Sequence, residues 1–423
     1  MAGRNYGVGD PARASEATYD YASGDVERPT MVADLSELVE GDVRFDEYTR
    51  QLYATDASAY EAVPIGVVMP KSTADASAVV EYCARWEIPV LPRGGGTSLA
   101  GQAVNEAVVL DFSRYMGDVL AVDADPDDPT VTAQAGTVLA ELNETIAPEG
   151  LKFGPDPAAG DRSVLGGAVG NNSTGAHSLV YGKTDYYVEE VEAVLADGSV
   201  HRFAEIAVDD LRARADPDAD AWGPNGPDSD LLPRIYAEVA RVLDEEADEV
   251  DARYPDLKRN VSGYNLDVLV DEARGERPLP DDSGVDPESE PGTVNLARLL
   301  AGSEGTLAVV TEATVSLAPV PETKAVALLT YDDLLDAMED VEPILEHDPC
   351  AVEVMDDVLL GLARETAEFR EVVGMLPPGT DSVLLVEFYA ASAAEGRRKV
   401  ADLVADRLDD VETTAEPSDG AAD

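Results

Sequence analysis

The chain has 423 residues, of which 86 are acidic and 30 basic, so its formal net charge is −56. This balance excludes nucleic-acid binding and a polybasic membrane patch, because both depend on an excess of Lys and Arg. An acidic excess spread along the whole chain instead indicates a halophilic protein, with a solvated surface adapted to a salt-rich cytoplasm.

The chain is long enough for two or three domains, and its 44% apolar residues are sufficient to build their cores. No apolar run approaches the roughly 20 residues that span a bilayer, and the N-terminus lacks the apolar segment of a signal peptide. Two cysteines, Cys83 and Cys350, cannot supply a disulfide framework or the four thiolates of an iron–sulfur cluster. We therefore expect a cytoplasmic protein without a membrane span.

The first part of the chain is polar and turn-rich, and a short helix is predicted there over residues 31–39. The pattern sharpens at Ser72, where a capping-box-like Ser72-x-x-Asp75 precedes apolar residues at helical spacing. Beyond this predicted helix, the pattern indicates strands over 88–91, 107–113 and 130–136, and then a helix that ends at Gly150.

The middle of the chain contains a strong hairpin signal, Asp197-Gly198, between two strand-like runs within residues 188–203. Residues 208–230 and 271–292 are acidic and rich in Pro and Gly, so we predict surface insertions there, with a helix between them. A βαβ-like pattern begins beyond Pro321, and the small-residue, acidic tail after Val411 is predicted to be disordered.

Three stretches that contain several glycines provide the evidence for a ligand-binding site. The first, "PRGGGTSLAG", follows a strand, so its backbone N–H groups can face an anion, and Thr97 and Ser98 add hydroxyl donors. A glycine run after a strand is also a common tight turn. Because the stretch matches neither G-x-G-x-x-G nor the P-loop pattern, the usual dinucleotide and P-loop sites are disfavoured.

The second stretch, residues 154–199, places Gly166, Gly167 and Gly170 on a short helix, where a ligand can approach bare backbone. The run 171–174 adds neutral donors and acceptors suited to the edge of a heteroaromatic ring. The third stretch, "AGSEGTLAVVT", supplies another glycine turn that leads into a strand. Together the three stretches predict a large, flat, phosphate-bearing ligand.

In their order and spacing, these stretches resemble the FAD-binding (PCMH-type) domain of the vanillyl-alcohol-oxidase flavoprotein superfamily. Within it they most resemble the FAD-linked 2-hydroxy-acid dehydrogenases, and "NNSTGAHSLVYGKT" and "NVSGYNLDVLV" are closest to members fused to an iron–sulfur region. The resemblance implies an α+β fold with four parts: an N-terminal segment (1–59), a two-subdomain FAD-binding domain (60–320), the start of an α/β substrate domain (321–411) and the tail (412–423).

The resemblance also implies which residues contact the cofactor, FAD, which should be held non-covalently because the first loop has no histidine or cysteine to bond to it. The first loop would cradle the pyrophosphate, the second stretch would line the isoalloxazine and ribityl path, and the third would close over the adenine side. The implied contacts are Arg93, Gly94, Gly95, Gly96, Thr97, Ser98, Pro155, Asp156, Ser163, Gly166, Gly167, Asn171, Asn172, Gly175, Ser178, Glu304, Gly305, Thr306 and Val310.

By the same resemblance, the enzyme would oxidise a 2-hydroxy acid of the glycolate, D-lactate or D-2-hydroxyglutarate type to the 2-oxo acid. Electrons would pass to a quinone or to an iron–sulfur module, in a partner subunit or a downstream domain. The chain ends before the family's metal and base motifs, so we expect a truncated or split gene product, no metal site and no assignable catalytic residue. The alternative is a non-catalytic FAD-binding fragment, or a subunit that needs a partner chain for activity.

Two enzyme classes remain as rivals: the reductase of peptidoglycan precursor synthesis, which shares the fold, and a nicotinamide-dependent dehydrogenase. The motifs quoted above favour the hydroxy-acid branch over the first. Binding of NAD without a yellow colour would indicate the second.

Each histidine has a structural interpretation as well as a functional one. His177 lies inside the flavin stretch and is either a structural residue or a general base, with the structural role favoured. His201 and His347 are interpreted as surface residues.

Basic and aromatic residues leave similar alternatives. Lys183 and Arg259 are able to bind a substrate carboxylate, but a salt bridge is the default for each. Tyr181, Tyr186 and Tyr187 either stack on flavin or pack in the core.

Overall fold

The computed structural model describes residues 28–223, 226–227, 229–255, 257, 260–277 and 291–407. Between Val320 and Pro321 the chain divides into two compact units, units 1 and 2, which are described separately. The predicted disordered tail and the first 27 residues lie outside the described residues. Within the described ranges, no helix combines the length and the apolar character needed to cross a membrane.

The first sheet of unit 1 has the strand order β1-β2-β4-β3, in which β2, β3 and β4 are parallel and β1 is antiparallel to β2. Its strands are β1 (Asp42–Arg44), β2 (Gly66–Met69), β3 (Val90–Arg93) and β4 (Val108–Asp111), and its helices are α1 (Arg28–Leu38), α2 (Glu47–Leu52) and α3 (Thr73–Arg85). Helix α3 begins with the predicted cap, since Ser72 Oγ accepts a hydrogen bond of 3.2 Å from the backbone N–H of Asp75.

The described part of the N-terminal segment belongs to this first subdomain. Met31 and Leu35 of α1 are fully buried in the same apolar cluster as Val79 and Cys83 of α3. A shared core ties these elements together, so residues 28–44 are not a separate appendage. Burial also raises the pKa of the Cys83 thiol to about 12, so that Cys83 packs as a small apolar side chain.

The second sheet of unit 1 is antiparallel, with the order β5-β6-β12-β8-β9. Its strands are β5 (Val119–Asp123), β6 (Thr130–Gln134), β8 (Val188–Val194), β9 (Val200–Phe203) and β12 (Val309–Ser316). Asp197-Gly198 does form the predicted turn between β8 and β9, where Gly198 has φ +84°. Strand β12 enters the middle of the sheet from far along the chain.

Short helices and strands surround this sheet. They are α4 (Leu139–Ile146), β7 (Leu151–Lys152), α5 (Leu165–Asn171) and α6 (Ser178–Tyr181). A helical region follows β9, and its elements are β10 (Glu205–Ala207), α7 (Val208–Ala213), α8 (Leu232–Arg241), α9 (Ala247–Arg253), α10 (Leu266–Arg274), β11 (Thr293–Asn295) and α11 (Leu296–Leu300). The two stretches predicted as surface insertions therefore contain helix α7 and the end of α10, while 278–290 lie outside the described residues.

Unit 2 begins after the short strand β13 (Ala318–Pro319), which pairs with β7 in unit 1. Its elements are β14 (Thr323–Tyr331), α12 (Leu334–Leu345), β15 (Ala351–Met355), α13 (Asp357–Glu365), α14 (Arg370–Val373), β16 (Ser382–Ala390) and α15 (Ala393–Arg407). The sheet order is β14-β16-β15, antiparallel throughout. The strand, helix and strand of the predicted βαβ-like pattern are present as β14, α12 and β16. The two strands pair antiparallel, because the unpredicted β15 reverses the chain before β16.

A buried ion network joins the helical region to the second sheet. Arg277 Nη1 and Arg298 Nη1 both donate to Glu272 Oε1, at 3.0 and 2.6 Å, and the Glu272 side chain is 1% exposed. The fully buried carboxylate of Asp185 lies 3.5 Å from both Arg277 and Lys183. Such a network is held by its mutual pairing, and removal of one cation leaves the buried carboxylates with fewer countercharges than they need.

We predict that Arg277→Met lowers the free energy of unfolding by about 3 kcal/mol, and that molar salt does not restore it, because ions do not screen a buried carboxylate. The matched control is Arg202→Met, since Arg202 also pairs with more than one carboxylate, in its case three, but its side chain is 46% exposed. The loss of unfolding free energy caused by Arg202→Met should be smaller and should decrease as the salt concentration rises. Urea unfolding in low and molar salt measures both, and an equal salt response of the two variants would contradict the prediction.

Candidate functional site: a glycine-lined cleft

A cleft that is open at its mouth lies between the two subdomains of unit 1. One wall is the loop after β3, the other is helix α5 with the end of β6, and the segment before β12 closes one end. Its lining residues are Pro92, Arg93, Gly94, Gly95, Gly96, Thr97, Ser98, Gln102, Ala103, Phe112, Ala135, Ser163, Val164, Gly166, Gly167, Ala168, Gly170, Asn171, Ser173, Ser303, Glu304, Gly305, Ala308 and Val310.

The first wall is bare backbone. A Cβ on Gly95 would lie 2.0 Å from the carbonyl oxygen of Arg162, and Gly96 has φ +64°, which disfavours any side chain. The hydrogen bonds found among the described residues include none donated by the backbone N–H groups of 94–97. A group of unpaired amides in one loop is a binding surface for an anion such as a phosphate.

The second wall is helix α5, whose glycines serve two purposes. A Cβ on Gly166 would lie 2.7 Å from Ala135 Cβ, so this glycine lets the helix pack closely on the end of β6. Gly167 differs, because its Cβ would meet only Val164 Cγ2, at an ordinary 3.6 Å. Gly167 therefore keeps space open on the cleft side, where a flat ring can lie against the helix.

The segment before β12 connects the two walls. Glu304 donates its backbone N–H to Gly170 of α5 (2.9 Å), and Gly305 lies against Pro92, where a Cβ would approach to 2.3 Å. Glu304 has φ +52°, an uncommon conformation for a residue with a side chain. Arg93 and Glu304 are the only charged residues that line the cleft within the described chain.

Most of the predicted cofactor contacts meet in this cleft. Those that line it are Arg93, Gly94, Gly95, Gly96, Thr97, Ser98, Ser163, Gly166, Gly167, Asn171, Glu304, Gly305 and Val310. Thr97 Oγ1 lies 3.1 Å from Ser163 Oγ across the cleft floor. The residues that line it without having been predicted as contacts are mainly small or apolar, such as Ala135, Ala168 and Ala308, and carry no chemical signal in the sequence.

Six predicted contacts are not among the lining residues: Pro155, Asp156, Asn172, Gly175, Ser178 and Thr306. Asn172 is fully buried, ends α5 in a left-handed conformation, and accepts the N–H of Asp185 through Oδ1 (2.9 Å). Asp156 accepts the backbone N–H of His177 (3.3 Å), and a Cβ on Gly175 would overlap it. These three residues make contacts within the chain next to the cleft, and their contact with FAD stays a prediction.

The histidines have different surroundings from those predicted. His177 is buried and its Nδ1 contacts the Asp156 carboxylate, which favours the structural interpretation. His201 and His347 are not simple surface residues. The His201 ring packs edge-on against Phe203 at 4.8 Å, and the His347 side chain is 21% exposed with Nε2 3.1 Å from Asp406. Both corrections arise because residues distant in sequence, Tyr236 for His201 and Asp406 for His347, lie against these side chains.

The basic and aromatic candidates are also packed within the fold. Lys183 pairs with Asp185 and donates to the carbonyl of Asn260 (3.1 Å), which is the default salt-bridge interpretation. Tyr187 is fully buried, with its ring edge-on to Phe153 at 5.7 Å, and Tyr186 lies under Arg277. In Tyr181 the ring centre is 4.2 Å from Lys152 Nζ. Arg259 lies outside the described residues.

Two protein families match the chain. One is described as FAD binding domain and matches residues 64–204; the other is described as FAD linked oxidases, C-terminal domain, and matches residues 320–419. The shape and lining of the cleft suit FAD, because unpaired amides are available for the pyrophosphate and α5 presents a bare face where a ring can lie.

Curated relatives are similar over most of this chain. D-2-hydroxyglutarate dehydrogenase of Pseudomonas putida is 29% identical over 367 residues, which cover 85% of this chain and 33% of that protein. Glycolate oxidase subunit GlcD of Bacillus subtilis is 27% identical, with 82% and 57% covered, and D-lactate dehydrogenase of Archaeoglobus fulgidus is 27% identical, with 88% and 65% covered. The chain thus spans about one third of the length of the D-2-hydroxyglutarate dehydrogenase.

A solved structure of alkyldihydroxyacetonephosphate synthase is similar in fold. It aligns with a TM-score of 0.56 at 16% identity, and the alignment covers 90% of this chain and 60% of that one. At this identity the likeness concerns the fold alone.

We predict that Gly167→Ala weakens FAD binding by about tenfold or more, because the added methyl group occupies cleft space that no protein atom fills. The same change should raise the stability of the apoprotein slightly, by about 0.5–1 kcal/mol, since alanine favours the helix. Titration of apoprotein with FAD, followed by flavin fluorescence, measures the affinity.

The matched control is Gly361→Ala. Gly361 also lies inside a helix, α13, and its Cβ would meet nothing within 4 Å. This variant should gain similar stability and keep the FAD affinity of the unmodified protein. Equal FAD affinity for both variants would contradict the placement of the ring against α5.

Proposed function

Since the chain belongs to the FAD-linked oxidase flavoproteins, with an FAD binding domain followed by the FAD-linked oxidase C-terminal domain, we propose that it oxidises a 2-hydroxy acid to the 2-oxo acid. The observation that carries the proposal is the glycine-lined cleft of unit 1, with unpaired amides on one wall and a bare helix face on the other. Relatives named as D-2-hydroxyglutarate and D-lactate dehydrogenases and as a glycolate oxidase subunit support the substrate class.

The chain's own contribution is binding and orientation. The amides of 94–97 would hold the pyrophosphate, Asn171 and Ser163 would offer neutral hydrogen-bonding groups, and α5 would fix the plane of the ring. FAD supplies the two-electron redox chemistry when it is bound. Because the cleft lining has only two charged side chains, its electrostatics come mainly from backbone dipoles.

The overall reaction removes two electrons and two protons from the substrate, as the C–H and O–H bonds of the carbinol break and a C=O bond forms. The electrons must leave to an acceptor. We propose an iron–sulfur module or a quinone in that role, consistent with a relative that is named as a subunit.

We predict that the protein, purified in molar salt, shows the visible absorption bands of oxidised flavin, and that acid precipitation leaves the flavin in the supernatant. The first loop offers Gly-Gly-Gly-Thr-Ser and no side chain that bonds covalently to a flavin. Flavin that stays with the pellet would contradict non-covalent binding, and a folded, colourless protein that takes up no FAD would refute the function.

We also predict that one or more 2-hydroxy acids bleach the bound flavin under anaerobic conditions and reduce an artificial dye in air. A panel of D- and L-2-hydroxy acids, with the matching 2-oxo acids and 3-hydroxy acids as controls, identifies the substrate. The panel is run with and without added candidate partner subunits. Bound FAD that no acid bleaches in either case would favour the alternative, an FAD-binding protein without this activity.

A further inference from the structure

Residues 53–62, here called the strap, connect α2 to β2 and lie against the glycine loop on the side of the first subdomain. The backbone N–H of Ala57 donates to the carbonyl of Gly96 (3.0 Å), which is in the middle of the loop. Five of the ten strap residues are exposed. Ala54 is buried, and Tyr53 packs against an apolar cluster of the first sheet. Beyond these two residues, hydrogen bonds hold the strap against the glycine loop.

Arg93 provides the largest number of these contacts. Its Nη2 donates to the carbonyl of Thr55 (2.8 Å), and its Nη1 donates to the carbonyls of Tyr53 (3.3 Å) and Ala103 (2.7 Å). The guanidinium also stacks on the Tyr53 ring, 5.2 Å from its centre. One side chain thus joins the start of the strap to the far end of the glycine loop.

Asp56 completes the arrangement from within the strap. Its Oδ2 accepts the backbone N–H of Ala103 (3.3 Å), and its Oδ1 accepts the N–H of Ser58 (2.8 Å). The peptide groups of Ala103 are consequently held at both ends, the carbonyl by Arg93 and the N–H by Asp56. Asp56 is not among the residues that line the cleft.

We propose that the strap fixes the amides of the glycine loop in their anion-binding arrangement, so that Arg93 and Asp56 are positioning residues for FAD. The inference rests on the proposed function, because it assumes that the cleft holds FAD. Its physical basis is preorganisation: a glycine-rich loop has many accessible conformations, and contacts that restrict it reduce the cost of binding. Release of FAD should then depend on Asp56, which does not line the cleft.

A competing explanation assigns Arg93 a direct electrostatic role, as a cation beside the pyrophosphate. The two explanations predict opposite signs for Asp56→Ala. Removal of a carboxylate near an anion site should tighten FAD binding if charge alone matters. It should weaken binding if the carboxylate positions the loop.

The test uses the FAD-loaded protein, diluted so that release is followed by the rise in flavin fluorescence. We expect Asp56→Ala to release FAD about tenfold faster, the effect of losing hydrogen bonds worth roughly 1.4 kcal/mol. Arg93→Met should show an effect at least as large. The double variant should be little worse than Arg93→Met alone, because both changes act on the same segment.

Asp125→Ala is the matched control. Asp125 also accepts the N–H of the residue two positions later, Asp127 (3.0 Å), but it lies in the turn between β5 and β6. Asp56→Asn adds a second comparison, since it removes the charge but keeps one oxygen acceptor. Positioning predicts an FAD release rate for Asp56→Asn between those of Asp56→Ala and the unmodified protein, whereas charge predicts that it equals that of Asp56→Ala.

Thermal unfolding of each apoprotein is measured in parallel, so that faster release without a matching loss of apoprotein stability separates positioning from general destabilisation. Slower release by Asp56→Ala, unchanged release, or an equal effect of Asp125→Ala would overturn the inference while leaving the proposed function intact. Failure of the unmodified protein to bind FAD would overturn both.

Discussion

Close approach of glycine backbone to neighbouring segments, at positions that admit no side chain, is the constraint on which the cleft depends. Gly95 lies against the Arg162 carbonyl, Gly166 against Ala135, and Gly305 against Pro92. Each contact joins segments that are far apart in sequence, and any Cβ at these glycines would push them apart. The same lack of side chains that allows the contacts also leaves amide groups facing the cavity, so assembly and ligand binding have one cause.

Local features of this fold were predictable from the sequence, and long-range features were not. The Ser72 cap and the Asp197-Gly198 turn depend on residues only a few positions apart, and both are present in the structure. Insertion of β12 between β6 and β8 and the reversal introduced by β15 depend on pairings that no local periodicity encodes. The environment of His201 was missed for the same reason, because Tyr236 and Phe203 enclose it only after the chain has folded.

The candidate site shows the same division. Glycine runs identify the walls, because a missing side chain is visible in the sequence. The sequence does not reveal whether a neighbouring polar residue lines the cleft or lies outside it and contacts the lining residues. Asn172 and Asp156 were predicted as contacts but are not among the residues that line the cleft, a difference that depends on tertiary packing.

Charge is distributed unevenly between surface and interior. The formal net charge is −56, yet Lys183, Arg277 and Arg298 are committed to one network with Asp185, Glu272 and Glu189. These six groups balance in sign and are mostly shielded from solvent. Ionic strength therefore acts mainly on the repulsion among exposed carboxylates and leaves the interior pairing unaffected.

The central place of β12 has a consequence for biosynthesis. Thr132 on β6 and Thr314 on β12 lie side by side, with their hydroxyl oxygens 2.8 Å apart, although 182 positions separate them along the chain. A ribosome needs on the order of ten seconds or more to cover that distance, and until then β6 and β8 have unpaired edges. The segment that closes the cleft emerges immediately before β12, so until then the nascent chain has no complete nucleotide pocket, and cofactor capture has to follow translation of that segment.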